Sequence, residues 1–395
     1  MSLISKQMEG YLGRASMIRR MFEQGIALKK EHGEDAVCDF SLGNPDLPSP
    51  ASIKTKLADL AKHADEPGIF GYMPNGGYPW VREALAKYLA AEQQSPVGPE
   101  DVLITCGAAG AINALFRAVL NPGDEVLAIA PYFVEYGFYT ENSGGCFRAV
   151  NSAPDFTPDM DALEAAFTPS VRALIVNSPN NPTGQVYTSQ QMQAIAALLG
   201  RKSKEYGRPI YLVSDEPYRF LTYDGVKVEP VLPLYEYTVA VGSFSKSLGL
   251  AGERVGYLAI APQMPDKQTL INACTLTNRI LGFVNPPVIG QHLMAAGLGS
   301  EVDTSIYARR RDKMAAVLDG AGIEYLMPKG AFYFFPKAPG GDDQAFVKSL
   351  VDELILAVPG TGFGCPGHFR MTFCVDEKII DRAAQGFIRA ANKYK

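Results

Sequence analysis

The sequence predicts an α/β protein in which helices flank a mostly parallel sheet, with a smaller α+β part beyond it. Three observations lead there. At 395 residues the chain exceeds the size at which a single core keeps growing, so two domains are expected. Short apolar runs without alternation recur between segments of helical period, the pattern of strands buried on both faces of a sheet. After Asn285-Pro286-Pro287 the texture changes to long helical stretches and then to short strands parted by glycine turns.

Composition narrows the function. Hydrophobic residues make up 47% of the chain and charged residues 20%, ordinary for a soluble globular enzyme. A net charge of -5 gives no reason to expect nucleic acid. No apolar run approaches the length needed to cross a bilayer, and the first residues lack a secretory core with a cleavage site. The six cysteines show no Cys-x-x-Cys spacing and read as reduced thiols of a cytoplasmic protein. Four scattered histidines suggest no metal site, which leaves proton chemistry to another residue type.

In chain order, Met17, Ile18, Met21, Phe22, Ile26 and Leu28 space like a helix within residues 12–32. A short strand, Cys38 to Leu42, then runs into the turn Gly43-Asn44-Pro45-Asp46. The loop from Gly71 to Pro79 carries Tyr72 and leads into an amphipathic helix from about Val81 to Ala91. Val102–Thr105 is a strand, Cys106-Gly107-Ala108-Ala109-Gly110 a small-residue turn, and Ala111–Leu120 a helix; the strand Glu125–Ala130 completes a β-α-β unit. The first turn of such a helix offers unpaired N–H groups to an anion. The glycines match neither the dinucleotide nor the Walker pattern, so a single phosphate fits better than a pyrophosphate.

Aromatic residues, Phe133 among them, follow that strand, where open α/β sheets bind ligands. The strand Arg172–Asn177 leads into Ser178-Pro179-Asn180-Asn181-Pro182-Thr183-Gly184, whose prolines pre-shape a turn presenting an amide. After a helix from about Ser189 to Tyr206, the strand Pro209–Ser214 ends in Asp215-Glu216-Pro217-Tyr218. A carboxylate there needs a cationic partner, and a protonated pyridine nitrogen is one. Toward the C-terminus, helices are expected at about 266–280, 288–297 and 302–318. Strands are expected at Tyr325–Met327, Ala331–Phe335, Leu354–Val358 and Phe369–Phe373. Arg370 lies inside the last of these and calls for an anion such as a substrate carboxylate.

The loop from Gly242 to Gly256 ties these pieces together. It follows the strand Thr238–Val241 and sets Lys246 among serines and glycines, with Arg254 eight residues on. Small neighbours leave room for a flat group, while serine hydroxyls and an arginine suit a phosphate. The combination points to a lysine that forms a Schiff base with pyridoxal phosphate.

Four motifs stand in order: Asn177-Ser178-Pro179-Asn180-Asn181-Pro182-Thr183-Gly184, Asp215-Glu216-Pro217-Tyr218, Ser243-Phe244-Ser245-Lys246 and Arg254-Val255-Gly256. With them the chain resembles, over nearly its whole length, the pyridoxal-phosphate-dependent aminotransferases of fold type I, class I/II, the aspartate aminotransferase family. The resemblance implies a large cofactor-binding domain over 46–284 and a small one from both chain ends, 1–45 and 285–395. It implies ping-pong transamination between an L-amino acid and a 2-oxo acid, in a cytoplasmic homodimer whose active site is shared. Lys246 would hold the cofactor and shuttle the proton, Asp215 would pair with the ring nitrogen, and Asn181 and Tyr218 would bond the phenolic oxygen. Phe133 takes the ring-stacking position, where many relatives carry tryptophan. Gly107, Ala108, Ala109, Ser243 and Arg254 match the phosphate cup, which Tyr72 would reach from the partner subunit. Two alanines in that cup leave only backbone N–H groups, so phosphate binding leans on Ser243 and Arg254. Arg370 would clamp the substrate α-carboxylate beside Asn181 and Gly43.

Aspartate or a similar donor is the first expectation, with aromatic or alanine-type donors next. Arg279 is near, but shifted by one residue from, the family's position for a distal carboxylate, and an ordinary helix salt bridge is the competing role. A C–S lyase or β-eliminase on the same scaffold is the alternative enzyme. A cofactor-sensing regulator is disfavoured because no basic helix-turn-helix pattern precedes Pro45.

Overall fold

The computed structural model describes residues 2–14 and 17–395. Its strands, in chain order, are β1 (Cys38–Asp39), β2 (Val102–Thr105), β3 (Glu125–Ala130), β4 (Cys146–Asn151), β5 (Val171–Asn177), β6 (Tyr211–Asp215), β7 (Thr238–Ser243), β8 (Gly256–Ile260), β9 (Tyr333–Phe334), β10 (Ile355–Leu356), β11 (Val358–Pro359) and β12 (Phe369–Thr372). Among the described residues, seven of these form one sheet in the order β2-β8-β7-β6-β5-β3-β4. Within it β8 alone runs against its neighbours, pairing antiparallel with both β2 and β7. The other pairings are parallel.

Alternate residues of each strand enter opposite cores, as the pleat requires. Ile104, Leu127, Leu174 and Leu212 pack on one face, and Leu103, Val126, Ile175 and Val213 on the other. Burial on both faces is why these strands read as unbroken apolar runs. The edge strand β4 breaks the pattern. Cys146, Arg148 and Asn151 leave it too polar for such a run, and sequence reasoning passed it over.

Local signals set the helix limits. The helix Ser189–Tyr206 opens on a capping box, Thr188 Oγ1 accepting from Gln191 N while Gln191 Oε1 accepts from Thr188 N. It stops at Gly207, in the left-handed region at φ 63°. The helix expected from Ala111 begins earlier, as Gly107–Val119, so Ala108 and Ala109 belong to its first turn. The helical run expected over 12–32 comes as Lys6–Arg14 and Met17–His32, with residues 15 and 16 outside the described ones. The strand expected at Tyr325–Met327 is irregular chain, and only Tyr333–Phe334 of the run Ala331–Phe335 pairs as a strand, because Ala331 turns at φ 55°.

A further core draws on both ends of the chain. β1 pairs parallel with β10, and Phe40 packs with Phe334, Phe369 and Phe387. The helices Thr304–Ala321 and Glu377–Asn392 cover it. The helix Val288–Gly297 buries Leu293 and Met294 in the sheet's core, and after it the chain returns to the other core at Val302. Among the described residues no helix is long and apolar enough to cross a membrane, and no cluster of side chains is suited to hold a metal ion.

Candidate active site

The parallel strands deliver their chemistry at their C-terminal ends. Asn177 closes β5 opposite Asp215, which closes β6 and lies opposite Val241 of β7. Lys246 follows the end of β7. Thr105, at the end of β2, lies opposite Gly256. Because β8 is reversed, Arg254 precedes that strand and still reaches the same edge. A Cβ on Gly256 would run into the backbone of Gly242 and Gly107, so only glycine lets these turns close. Gly107 itself turns at φ +72°, and a Cβ there would lie 2.9 Å from Arg254 Nη2. The guanidinium therefore lies across the first turn of the helix Gly107–Val119. Arg254 is itself left-handed at φ 51°, unusual for a residue with a Cβ.

These ends surround a cavity of about 280 Å³. Ala108, Ala109, Phe133, Asn181, Asp215, Tyr218, Ser243, Lys246 and Arg254 line it from the sheet side. Gly43, Tyr333 and Arg370 line it from the other core. Of the residues singled out in the sequence, all but Gly107, Tyr72 and Arg279 are on this lining, and Gly107 abuts Arg254. Tyr72 lies elsewhere: it is 94% exposed and borders a separate surface cavity with Phe70, Phe283 and Val284. Arg279 is also exposed, at the start of the wide turn Arg279–Phe283. Among the described residues it forms no ion pair.

Lys246 Nζ donates to the carbonyl of Gly43 at 2.7 Å. Burial pushes its amine down to about 8, and the nearby guanidinium groups of Arg370 and Arg254 push the same way. Roughly a tenth of such an amine is uncharged at neutral pH, against under about one in a thousand for an ordinary lysine.

Asp215 is buried. Tyr136 donates to its Oδ2 at 2.5 Å, and Asn177 Nδ2 holds its backbone carbonyl at 2.8 Å. Oδ1 has no partner among the described residues. Burial pushes this carboxyl up to about 7, against the Tyr136 bond, with the charge of Glu216 adding to the rise. A cation placed at Oδ1 restores the carboxylate.

Arg370 is 2% exposed. Nη1 donates to Asn181 Oδ1 at 3.1 Å and Nη2 to the carbonyl of Ser41, while Nε is unpartnered. Its guanidinium lies between the rings of Tyr333 and Phe363, 4.8 and 4.9 Å from their centroids. No carboxylate among the described residues pairs with it. A buried arginine with an unfilled donor and no counter-charge is prepared for an incoming anion.

Sequence reasoning missed Tyr136, Tyr139 and Tyr333, which read as core aromatics. The signal for Tyr136 was its place three residues after Phe133, one helical turn along. Replacing Tyr136 by phenylalanine removes the one hydrogen bond to Asp215 Oδ2. Pyridoxal phosphate is expected to bind about 10- to 100-fold more weakly, the range for a bond to a charged group. Equilibrium titration with the cofactor measures this, and unchanged affinity would show that Tyr136 has no part in holding Asp215.

The model of the family "Aminotransferase class I and II" matches residues 35–387. The chain belongs to the class I and II aminotransferases. It is 32% identical over 378 residues to the aspartate/prephenate aminotransferase of Thermus thermophilus, covering 92% of this chain and 93% of that one. It is 30% identical over 379 residues to the aspartate aminotransferase of Geobacillus stearothermophilus, covering 90% and 91%. An amino transferase from Eubacterium rectale superposes over 100% of both chains with a TM-score of 0.95 at 36% identity. The Thermus thermophilus aspartate aminotransferase solved with maleate does so over 99% and 100%, with a TM-score of 0.86 at 29% identity.

Aminotransferases of this family use pyridoxal 5′-phosphate, and the cavity fits it. The orphaned Asp215 Oδ1 suits a protonated ring nitrogen. A helix N-terminus with Arg254 laid across it suits the phosphate, and Lys246 supplies a buried amine of near-neutral character. When bound, pyridoxal phosphate supplies the electron sink that makes an amino acid's α-proton removable. The aminotransferase accordingly transfers an amino group between an amino acid and a 2-oxo acid.

Proposed function

We propose that the donor is aspartate or a closely similar L-amino acid and the acceptor a 2-oxo acid such as 2-oxoglutarate, exchanged in ping-pong order. The observation that carries this reading is Arg370, buried and with no acidic partner among the described residues, in the same cavity as the amine of Lys246, which burial lowers to about 8. Arg370 holds the α-carboxylate through paired N–H···O bonds. The amide oxygen of Asn181 is committed to Arg370, which leaves its amide nitrogen to donate to the cofactor's phenolic oxygen beside Tyr218. Phe133 lies against the ring. Backbone N–H groups of Gly107, Ala108 and Ala109, with Ser243 and Arg254, hold the phosphate. Lys246 Nζ takes the α-proton of the bound amino acid. Because its base form is the active one, the rate of donor deamination is expected to rise with pH through about 8 and level off above. A limb more than about one unit away would place another group in that role.

The name of the Thermus thermophilus relative and the maleate bound by its structure support a dicarboxylate. Against a panel of amino acids, aspartate and glutamate should bleach the bound cofactor's visible band at the lowest concentrations. Bleaching by aromatic donors alone would select the second reading, which the apolar and aromatic lining residues Leu42, Ile112, Phe133 and Tyr139 support. Release of ammonia and pyruvate from cysteine or serine analogues would indicate a β-eliminase.

The reading includes a homodimer with a shared site, supported by exposed Phe70, Tyr72, Ile280, Phe283 and Val284 on the surface around Tyr72. In it the partner subunit's Tyr72 reaches the phosphate. A cytoplasmic location is supported by six free cysteines. It also includes two bodies, 46–284 and the two chain ends. Packing of Val288–Gly297 on the sheet's core supports placing the second crossing near Leu298–Val302 instead of at Asn285.

A further inference from the structure

Tyr333 occupies a position that the assigned roles leave unexplained. It lies on β9, paired with β12 so that Tyr333 faces Thr372, two residues from Arg370. Its side chain is 3% exposed and lines the cavity. Its hydroxyl is 3.0 Å from the hydroxyl of Tyr218, and either oxygen is able to donate. Among the described residues each of these hydroxyls has no other hydrogen-bond partner. The chain keeps room for this contact: a Cβ on Gly43 would collide with the Tyr333 hydroxyl and with Cζ of its ring. Gly43 has no positive φ to require glycine, so the missing side chain answers to Tyr333 and to the neighbouring ring of Phe332, which a Cβ would also strike.

Donor counting decides the direction of the bond. Two hydroxyls carry two hydrogens, and the bond between them uses one. The other hydrogen stays free for an acceptor in the cavity. If Tyr218 donates to the cofactor's phenolic oxygen, its single hydrogen is committed there and Tyr333 must be the donor between the pair. A donor accepted by Tyr218 polarises its O–H and strengthens the outgoing bond. We propose that Tyr333 is a positioning residue whose hydroxyl donates to Tyr218 and thereby commits the Tyr218 proton to the cofactor's phenolic oxygen. The proposal rests on the reading of Tyr218 as a partner of that oxygen. It adds a link from the strand beside Arg370 to the electronic state of the cofactor.

The test uses the holoenzyme without substrate and reads the pH midpoint of the bound cofactor's visible band in four proteins: wild type, Tyr333→Phe, Tyr218→Phe and the double variant. Phenylalanine keeps the ring under Arg370 and removes only the hydroxyl. Loss of donation to the phenolic oxygen leaves the chromophore's proton more tightly held, so the midpoint rises. Tyr333→Phe is expected to raise it by roughly half a unit to one unit, the equivalent of one ordinary hydrogen bond. Tyr218→Phe is expected to raise it further, and the double variant to match Tyr218→Phe alone, since the Tyr333 effect passes through Tyr218. An unmoved midpoint in Tyr333→Phe while Tyr218→Phe shifts overturns the proposal, and so does an additive double variant. An unmoved midpoint in Tyr218→Phe removes Tyr218 from the phenolic oxygen, a separate failure. Affinity for pyridoxal phosphate, titrated alongside, should differ less than tenfold in Tyr333→Phe, and a larger loss would mark a structural role instead.

Discussion

Lys246→Ala is expected to bind pyridoxal phosphate yet deaminate no amino acid at a measurable rate. Two losses combine in that variant. The cavity loses the one amine that the described residues place on its lining, and with it the base proposed to take the α-proton, a contribution of about 10²- to 10⁴-fold by itself. Among the described residues the other cationic groups lining the cavity are the guanidinium groups of Arg254 and Arg370, which carry donors and no acceptor for a proton. Cofactor affinity should persist because the phosphate cup, Asp215 and Asn181 are untouched. Single-turnover mixing with each amino donor, followed by the visible band, makes the measurement. Turnover within tenfold of wild type would take Lys246 out of the mechanism.

Asp215→Ala should produce the second largest loss. Among the described residues Oδ1 is a buried acceptor with no partner, and burial has already pushed the carboxyl up to about 7. Such a group costs stability unless a cation meets it, so a protonated ring nitrogen held there would be stabilised by the carboxylate and stabilise it in turn. Breaking a buried pair of this kind costs about 3–5 kcal/mol, on the order of 10²- to 10⁴-fold in cofactor affinity. Proton removal should slow as well, because an unprotonated ring is a poorer electron sink. The sign for stability of the cofactor-free protein is opposite. A raised carboxyl binds its proton more tightly folded than unfolded, so its contribution favours the fold below the ordinary aspartate range and is lost as pH rises through about 7. Asp215→Ala should therefore flatten the pH dependence of unfolding between about 4 and 7. Equal cofactor affinity in the two proteins would mean that the ring nitrogen has another partner.

Much of this was legible in the residues. Strands buried on both faces announce themselves as apolar runs, and the motifs at their ends carry groups that are costly unless partnered, such as Asp215 and Arg370. What escaped has a common cause. Tyr136 and Tyr333 are aromatic, and from sequence a buried tyrosine is indistinguishable from a core ring until its hydroxyl is placed against Asp215 or Tyr218. The start of the helix at Gly107 escaped because glycine and alanine give no periodic signal. The edge strand β4 escaped because exposure removed its apolar run. Tyr72 was singled out, but its expected target lies in another copy of the chain, and a single sequence does not carry that geometry.

The reversal of β8 has one more consequence. β7 and β8 are joined as a hairpin whose mouth is fixed where Ser243 faces Gly256, and Lys246 and Arg254 both sit on the loop that this one rung closes. The amine and the guanidinium proposed to hold the phosphate are therefore beads on one string of set length. Cutting or lengthening that string by a single residue should spoil grip and chemistry together, so changes of specificity have to be sought on the opposite wall.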